Sequence, residues 1–212
     1  MLAIMNKFLN EKSPNFYCDD FNIDFQKHLR AIMEDGIACG DTPLGITMKI
    51  FISYDETDDL SSVSALIMDL DPENKVIVLA FEYVLTEEYF GEFKTGLETY
   101  KRETAIKIKD DLAVQVKNGK IKKEEVKLIF EKKVNKLFYA FFTKYHQDYF
   151  KIHRKTLFYD LLKGQEDEEK FIDLIKENIR LDKVINFKII GAKREVSNRE
   201  SDKSLSVLSS EY

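Results

Sequence analysis

The sequence predicts an α+β fold in which a small antiparallel sheet packs against long helices. Residues 46–85 contain runs rich in Ile, Val, Phe and Tyr, which is typical of strands. Residues 87–163 repeat apolar residues every three or four positions, which is typical of helices. Because a chain of 212 residues with 44% hydrophobic content can bury one sizeable core, we expect residues 1–196 to form a single domain.

The first predicted element is a helix from about Asp20 to Met33, where apolar side chains recur at helical spacing. Asp19 or Asp20 can cap its N-terminus through a carboxylate oxygen. Three glycines and one proline follow between residues 36 and 45. Since these residues favour turns over regular structure, we expect the chain to reverse there.

The predicted sheet is a meander of three strands, Ile46–Tyr54, Val63–Leu70 and Val76–Leu85. The segment Asp71–Asn74 separates the last two, and its proline fixes φ at the second position of a turn. Such a turn favours antiparallel pairing over a parallel sheet. One more strand is predicted late in the chain, at about residues 184–190.

A helical hairpin is predicted over about residues 87–163. Thr86 can cap its first helix, and Asn118 and Gly119 provide the reversal between the two helices. The second helix, continuous or broken, is predicted from about Lys122 to Lys163. A shorter helix over about 166–181 follows, and residues 197–212, with six serines, are predicted to be a disordered tail.

Charge is sorted along the chain. Residues 1–100 contain seven Lys and Arg against nineteen Asp and Glu, whereas residues 101–163 contain seventeen against eight. A surface of one sign steers association with partners of the opposite sign. We therefore expect a non-enzymatic binding or adaptor protein whose basic helical hairpin engages an acidic protein partner or another copy of itself.

The candidate binding residues lie where cations alternate with aromatic rings: Lys132, Lys133, Lys136, Lys144, Tyr145, Tyr149, Lys151, Arg154 and Lys155. Cations beside flat rings also suit single-stranded nucleic acid, since the rings can stack on bases. The alternative function is therefore nucleic-acid binding by the basic, aromatic-rich segment 101–163. A weaker alternative is a metal-dependent hydrolase that uses the acids between residues 55 and 73.

No catalytic motif is apparent, and the glycines fit no phosphate-binding loop, so neither catalytic residues nor a cofactor are predicted. The histidines and acids fit no metal-ligand spacing, so no metal is predicted either. Cys18 and Cys39 are too few for a disulfide framework, which predicts a cytoplasmic protein. No stretch approaches the length of a membrane span.

Overall fold

The computed structural model describes residues 2–10, 14–38, 43–69, 71–182, 184–185 and 187–188. The fold is α+β, as predicted. The strands are β1 (Gly45–Ser53), β2 (Val76–Leu85), β3 (Phe150–Asp160) and β4 (Gln165–Asp173). The helices are α1 (Leu2–Asn10), α2 (Ile23–Asp35), α3 (Glu87–Lys117), α4 (Val126–Val134) and α5 (Leu137–Tyr149). All strand pairs are antiparallel, and the order in the sheet is β1-β2-β3-β4.

The central strand β2 is buried on both faces. Its odd-numbered residues, such as Phe81, belong to the main core, which also contains side chains from α1, α2, α3 and α5. Its even-numbered residues Val78 and Ala80 form a smaller cluster with Leu157 on the opposite face, which we call the open face. Burial on both sides explains why β2 is an almost uninterrupted apolar run.

The predicted strand at Val63–Leu70 is wrong over its described residues, 63–69. Short 3₁₀ turns occupy Leu60–Ser62 and Ser64–Leu66, because the Asp59 side chain accepts a hydrogen bond from the Ser61 amide and starts a turn. The predicted turn at Asp71–Asn74 does form, with Asn74 N–H donating to the Asp71 carbonyl. It leads into β2, which pairs antiparallel with β1. This region therefore contributes two strands to the sheet instead of the predicted three.

The predicted helical hairpin ends earlier than expected, at Tyr149. Residues 150–160 are strand β3, because pairing with the buried strand β2 overrides an apolar spacing that would also suit a helix. The predicted helix over 166–181 is wrong as well, since β4 occupies its first half. Gly164, at φ +66°, makes the tight turn that joins β3 to β4.

The late strand predicted at 184–190 is not present in the described part of that range, residues 184–185 and 187–188. β4 is the fourth strand instead. The remaining residues of that range and the predicted tail, 197–212, lie outside the described residues.

Aromatic rings dominate the core between the sheet and the helices. Phe16 stacks on Tyr83 with 4.4 Å between ring centroids. Phe93 of α3 makes an edge contact of 5.3 Å with Phe141 of α5, and this contact fixes the base of the helical hairpin. Gly96 lies at the same crossing, where a Cβ atom would come 3.3 Å from the Phe141 ring, so the two helices approach closely.

Candidate interaction surface

Residues 117–136 form the far end of the helical hairpin, which we call the basic arm. α3 ends at Lys117, and Gly119 reverses the chain with a φ of +65°. The Lys122 amide donates to the Glu125 carboxylate, which satisfies a backbone donor ahead of α4. α4 then runs to Val134, and a turn at residues 135–136 separates it from α5.

The basic arm has eight lysines and three glutamates. Seven of the lysines are exposed: Lys117, Lys120, Lys122, Lys123, Lys127, Lys132 and Lys136. Within the part of the chain that the structure describes, Lys133 is the one arm lysine in an ion pair, at 3.3 Å from Asp111. The arm therefore presents uncompensated positive charge to solvent.

An apolar side chain lies among these lysines. Leu128 is 69% exposed, and none of the residues of α4 is buried. Phe130 is half-buried and has the Lys109 ammonium 5.4 Å from its ring centroid. An exposed leucine on an arm that is rich in lysines is suited to a partner that offers both carboxylates and an apolar pocket.

The nine predicted binding residues lie on three separate parts of the fold: the basic arm, α5 and β3. Lys132, Lys133 and Lys136 belong to the basic arm. Lys144, Tyr145 and Tyr149 lie on α5, where the Lys144 ammonium is 4.9 Å from the centroid of the Tyr145 ring. Both tyrosines are half-buried against the core.

The last three predicted residues, Lys151, Arg154 and Lys155, lie on β3 and point in different directions. The Lys151 ammonium covers the Tyr89 ring at 4.3 Å. Lys155 lies on the open face and donates to Glu82 at 2.7 Å. Arg154 lies on the helix-covered face and donates to the Phe8 carbonyl at 3.1 Å. A helix would have placed Lys151, Arg154 and Lys155 on one face. On a strand the side chains alternate between faces, so Arg154 is separated from Lys155.

Burial lowers the pKa of the Arg154 guanidinium. This side chain lines a cleft of about 590 Å³ together with Phe8, Phe81 and the segment after β4. The Arg180 side chain, also at this cleft, pairs with Asp182 at 2.9 Å.

Four phenylalanine rings of α5 and β3 face inwards. Phe138, Phe141, Phe142 and Phe150 are each at most 5% exposed. Tyr139 is half-buried, with the Arg30 guanidinium 5.7 Å from its ring centroid. These rings serve the core, which leaves them unable to stack on an unpaired base at the surface.

The acids between residues 55 and 73 stabilise local turns. Asp55 accepts hydrogen bonds from the Thr57 amide and hydroxyl, and Asp69 accepts from the Asp71 amide. The hydrogen bonds to Thr57 lower the pKa of Asp55. Over the described residues, no three His, Cys, Asp or Glu side chains converge in a way that could hold a metal ion.

Sequence reasoning missed Leu128 and the five arm lysines that precede Lys132. The signal that could have found them was the predicted turn at Asn118 and Gly119, since a hairpin turn brings the residues on its two sides together. Lysines at 117, 120, 122, 123 and 127 flank that turn in the sequence.

Comparison with protein-family models, with curated proteins and with solved structures finds no match to this chain. None of the helices in the described residues has an apolar stretch long enough to cross a bilayer.

Proposed function

We propose that this chain is a non-enzymatic protein-binding module that engages an acidic protein partner through the basic arm, residues 117–136. The exposed, unpaired lysines of the arm carry the proposal, since each is available to a carboxylate of a partner. Charge of one sign at the end of a projecting hairpin steers encounter with an acidic surface. We place this interaction in the cytoplasm, because the two cysteines are too few for a disulfide framework.

Leu128 favours a protein partner over a nucleic acid. An aliphatic side chain that is 69% exposed gains free energy when a partner removes it from water, and a phosphate backbone offers no apolar pocket for it. The burial of Phe138, Phe141, Phe142 and Phe150 points the same way, because these rings are not available to stack on the bases of a single-stranded nucleic acid.

The experiment compares two labelled probes against the full chain by fluorescence anisotropy. One is a synthetic peptide that alternates glutamates with leucines, and the other is a single-stranded oligonucleotide of matched charge. In the double variant Lys127→Glu/Lys132→Glu, we expect the peptide affinity to fall at least ~10-fold, since each reversal replaces an attraction by a repulsion. Lys94→Glu, an exposed lysine of α3 outside the arm, is the control and should leave the affinity nearly unchanged.

Leu128→Gln separates the two classes of partner. It should weaken binding of the peptide, whose leucines can pack against Leu128, and leave any binding of the oligonucleotide nearly unchanged, because lysines hold an oligonucleotide mainly through its phosphates. Tight oligonucleotide binding without peptide binding would contradict the proposal and would indicate a nucleic-acid-binding protein. Equal peptide affinities for the wild type and the double reversal would refute the proposal.

A further inference from the structure

Among the described residues, strand β1 lies at the edge of the sheet and has no strand paired to its outer side. Hydrogen bonds from Leu85 N–H to the Leu44 carbonyl and from Tyr54 N–H to the Lys75 carbonyl fix the phase of its pairing with β2. Even-numbered residues of β1 therefore bond to β2, and the backbone N–H and C=O groups of Thr47, Lys49 and Phe51 point away from the sheet. No described residue forms a backbone hydrogen bond with these three.

The two edges of the sheet differ in how they discourage pairing. β4, at the other edge, has five acidic residues and one lysine among nine residues. Charges of this density protect an edge against added strands. β1 has the same length, contains one charged residue, Lys49, and has three Ile, one Met and one Phe among its nine residues. It is therefore a long, apolar edge without the usual protection.

Side chains of β1 also remain incompletely covered. The core-facing residues Ile46, Met48, Ile50 and Ile52 are all only half-buried, although they pack against the core. On the open face, Phe51 is 53% exposed. A strand added along β1 would cover apolar surface on both faces while it satisfied the free backbone groups.

We propose that β1 pairs antiparallel with β1 of a second copy of this chain, about a two-fold axis at Ile50, and joins two four-stranded sheets into one. In this register Lys49 lies opposite Phe51 of the second copy, and Thr47 lies opposite Ser53. Ile50 lies opposite Ile50, where the core-facing side chains extend both cores. The same patch serves both copies, so the assembly closes as a dimer.

The register follows from charge. The free groups of β1 belong to odd-numbered residues, so near the middle of the strand a two-fold pairing can centre on Met48, Lys49 or Ile50. Centring on Met48 would require Gly45, whose N–H already donates to the Pro43 carbonyl. Centring on Lys49 sets the two Lys49 side chains, each with the same two glutamates of its own chain, directly opposite each other, and like-charged groups that face each other destabilise a strand pair. Centring on Ile50 sets each lysine against a phenylalanine ring instead. Lys49 keeps its hydrogen bonds of 2.6 Å to Glu166 and Glu168 of its own chain.

Sedimentation velocity over a concentration series of the full chain tests the dimer, with Thr47→Pro as the decisive variant. The Thr47 N–H points away from β2, so proline leaves the hydrogen bonds of the β1–β2 pair intact, as edge strands tolerate. It removes two hydrogen bonds from the symmetric dimer and sets its ring in the interface. We expect the dissociation constant to rise about 100-fold, and Thr47→Val to remain dimeric.

Phe51→Lys is the second variant, in case Thr47→Pro fails to fold by circular dichroism. It sets a new cation opposite Lys49 of the second copy and should also give monomers. A monomeric wild type at every concentration would overturn the proposal. So would a dimer that survives in both variants, or assemblies that keep growing beyond the dimer with concentration.

Disulfide trapping tests the register. In a background with Cys18→Ser and Cys39→Ser, a mixture of Thr47→Cys and Ser53→Cys chains should cross-link on oxidation, whereas neither variant alone should. Cross-linking of either variant alone, or none in the mixture, would exclude the axis at Ile50. The dimer should persist in high salt, where binding through the basic arm weakens, so failure of one proposal does not imply failure of the other.

Discussion

Glu34 links α2 to α3 near the middle of the helical hairpin. Its carboxylate accepts hydrogen bonds from Arg30 at 2.8 Å and from Lys101 at 2.9 Å. Burial alone would raise the pKa of Glu34, but these two cations hold the pKa below its ordinary value of 4.5. Glu34→Gln keeps an acceptor oxygen and removes the charge, so it tests what the charge contributes.

The expected loss is modest because all three side chains are partly exposed, at 16% for Glu34, 30% for Arg30 and 31% for Lys101. Two charge-assisted hydrogen bonds would be worth several kcal/mol if fully buried, but solvent screens them. We expect Glu34→Gln to lower the free energy of unfolding by about 1 kcal/mol at pH 7.

The stabilisation that the Glu34 charge provides should depend on pH. Since the folded-state pKa lies below the unfolded-state value, this stabilisation is present above about pH 5 and is lost as the pH falls through the folded-state pKa. Urea unfolding at a series of pH values should therefore show the wild type and Glu34→Gln converging in acid. The control, Glu103→Gln, changes an exposed glutamate of α3 and should track the wild type. A difference between wild type and Glu34→Gln that is zero at pH 7, or that grows in acid, would refute this reasoning.

Three further substitutions test the packing. Gly45→Ala should destabilise the fold by about 1–3 kcal/mol in thermal unfolding, because its Cβ would overlap the Tyr83 carbonyl and lie 2.7 Å from the Cα of Val84. Gly91→Ala, in α3, meets nothing within 4 Å and should stabilise by about 0.5–1 kcal/mol, so a loss there would contradict the open packing. Phe142→Ala, at 0% exposure, should cost about 3–5 kcal/mol in urea unfolding, and a cost under about 1 kcal/mol would place this ring outside the core.

The fold class could be predicted because β2 and α3 carry unmistakable patterns. The apolar run of β2 and the periodic sequence of α3 each match one kind of element, although the Thr86 side chain makes no capping hydrogen bond to α3 among the described residues. β3 could not be separated from α5, because the apolar spacing of three and four residues continues from Phe141 through Ile152. Only the pairing with β2, a contact between residues distant in sequence, decides that the helix ends at Tyr149.

β4 was missed for a different reason. Its sequence is rich in acids, and the residues that stabilise it lie elsewhere: Glu166 and Glu168 pair with Lys49 of β1, across the open face. A strand stabilised by distant cations shows no apolar alternation along most of its own sequence. The basic arm was predicted only in part, at Lys132, Lys133 and Lys136, although its other lysines cluster on both sides of a turn that could be recognised locally.

The two proposed surfaces have a joint consequence that neither has alone. A dimer joined along β1 carries two basic arms, so on a surface densely coated with the acidic peptide both arms can bind at once and the apparent affinity rises. We expect the apparent affinity of the wild type to exceed that of Thr47→Pro by at least ~10-fold on a dense peptide surface. On a sparse surface the two apparent affinities should be equal. Surface plasmon resonance at two peptide densities measures both ratios. The attachment of both arms depends on the spacing of the peptides on the surface, whereas the affinity of a single arm does not. If the ratio of wild-type to Thr47→Pro affinity is the same at the two densities, the two arms of one dimer do not bind together.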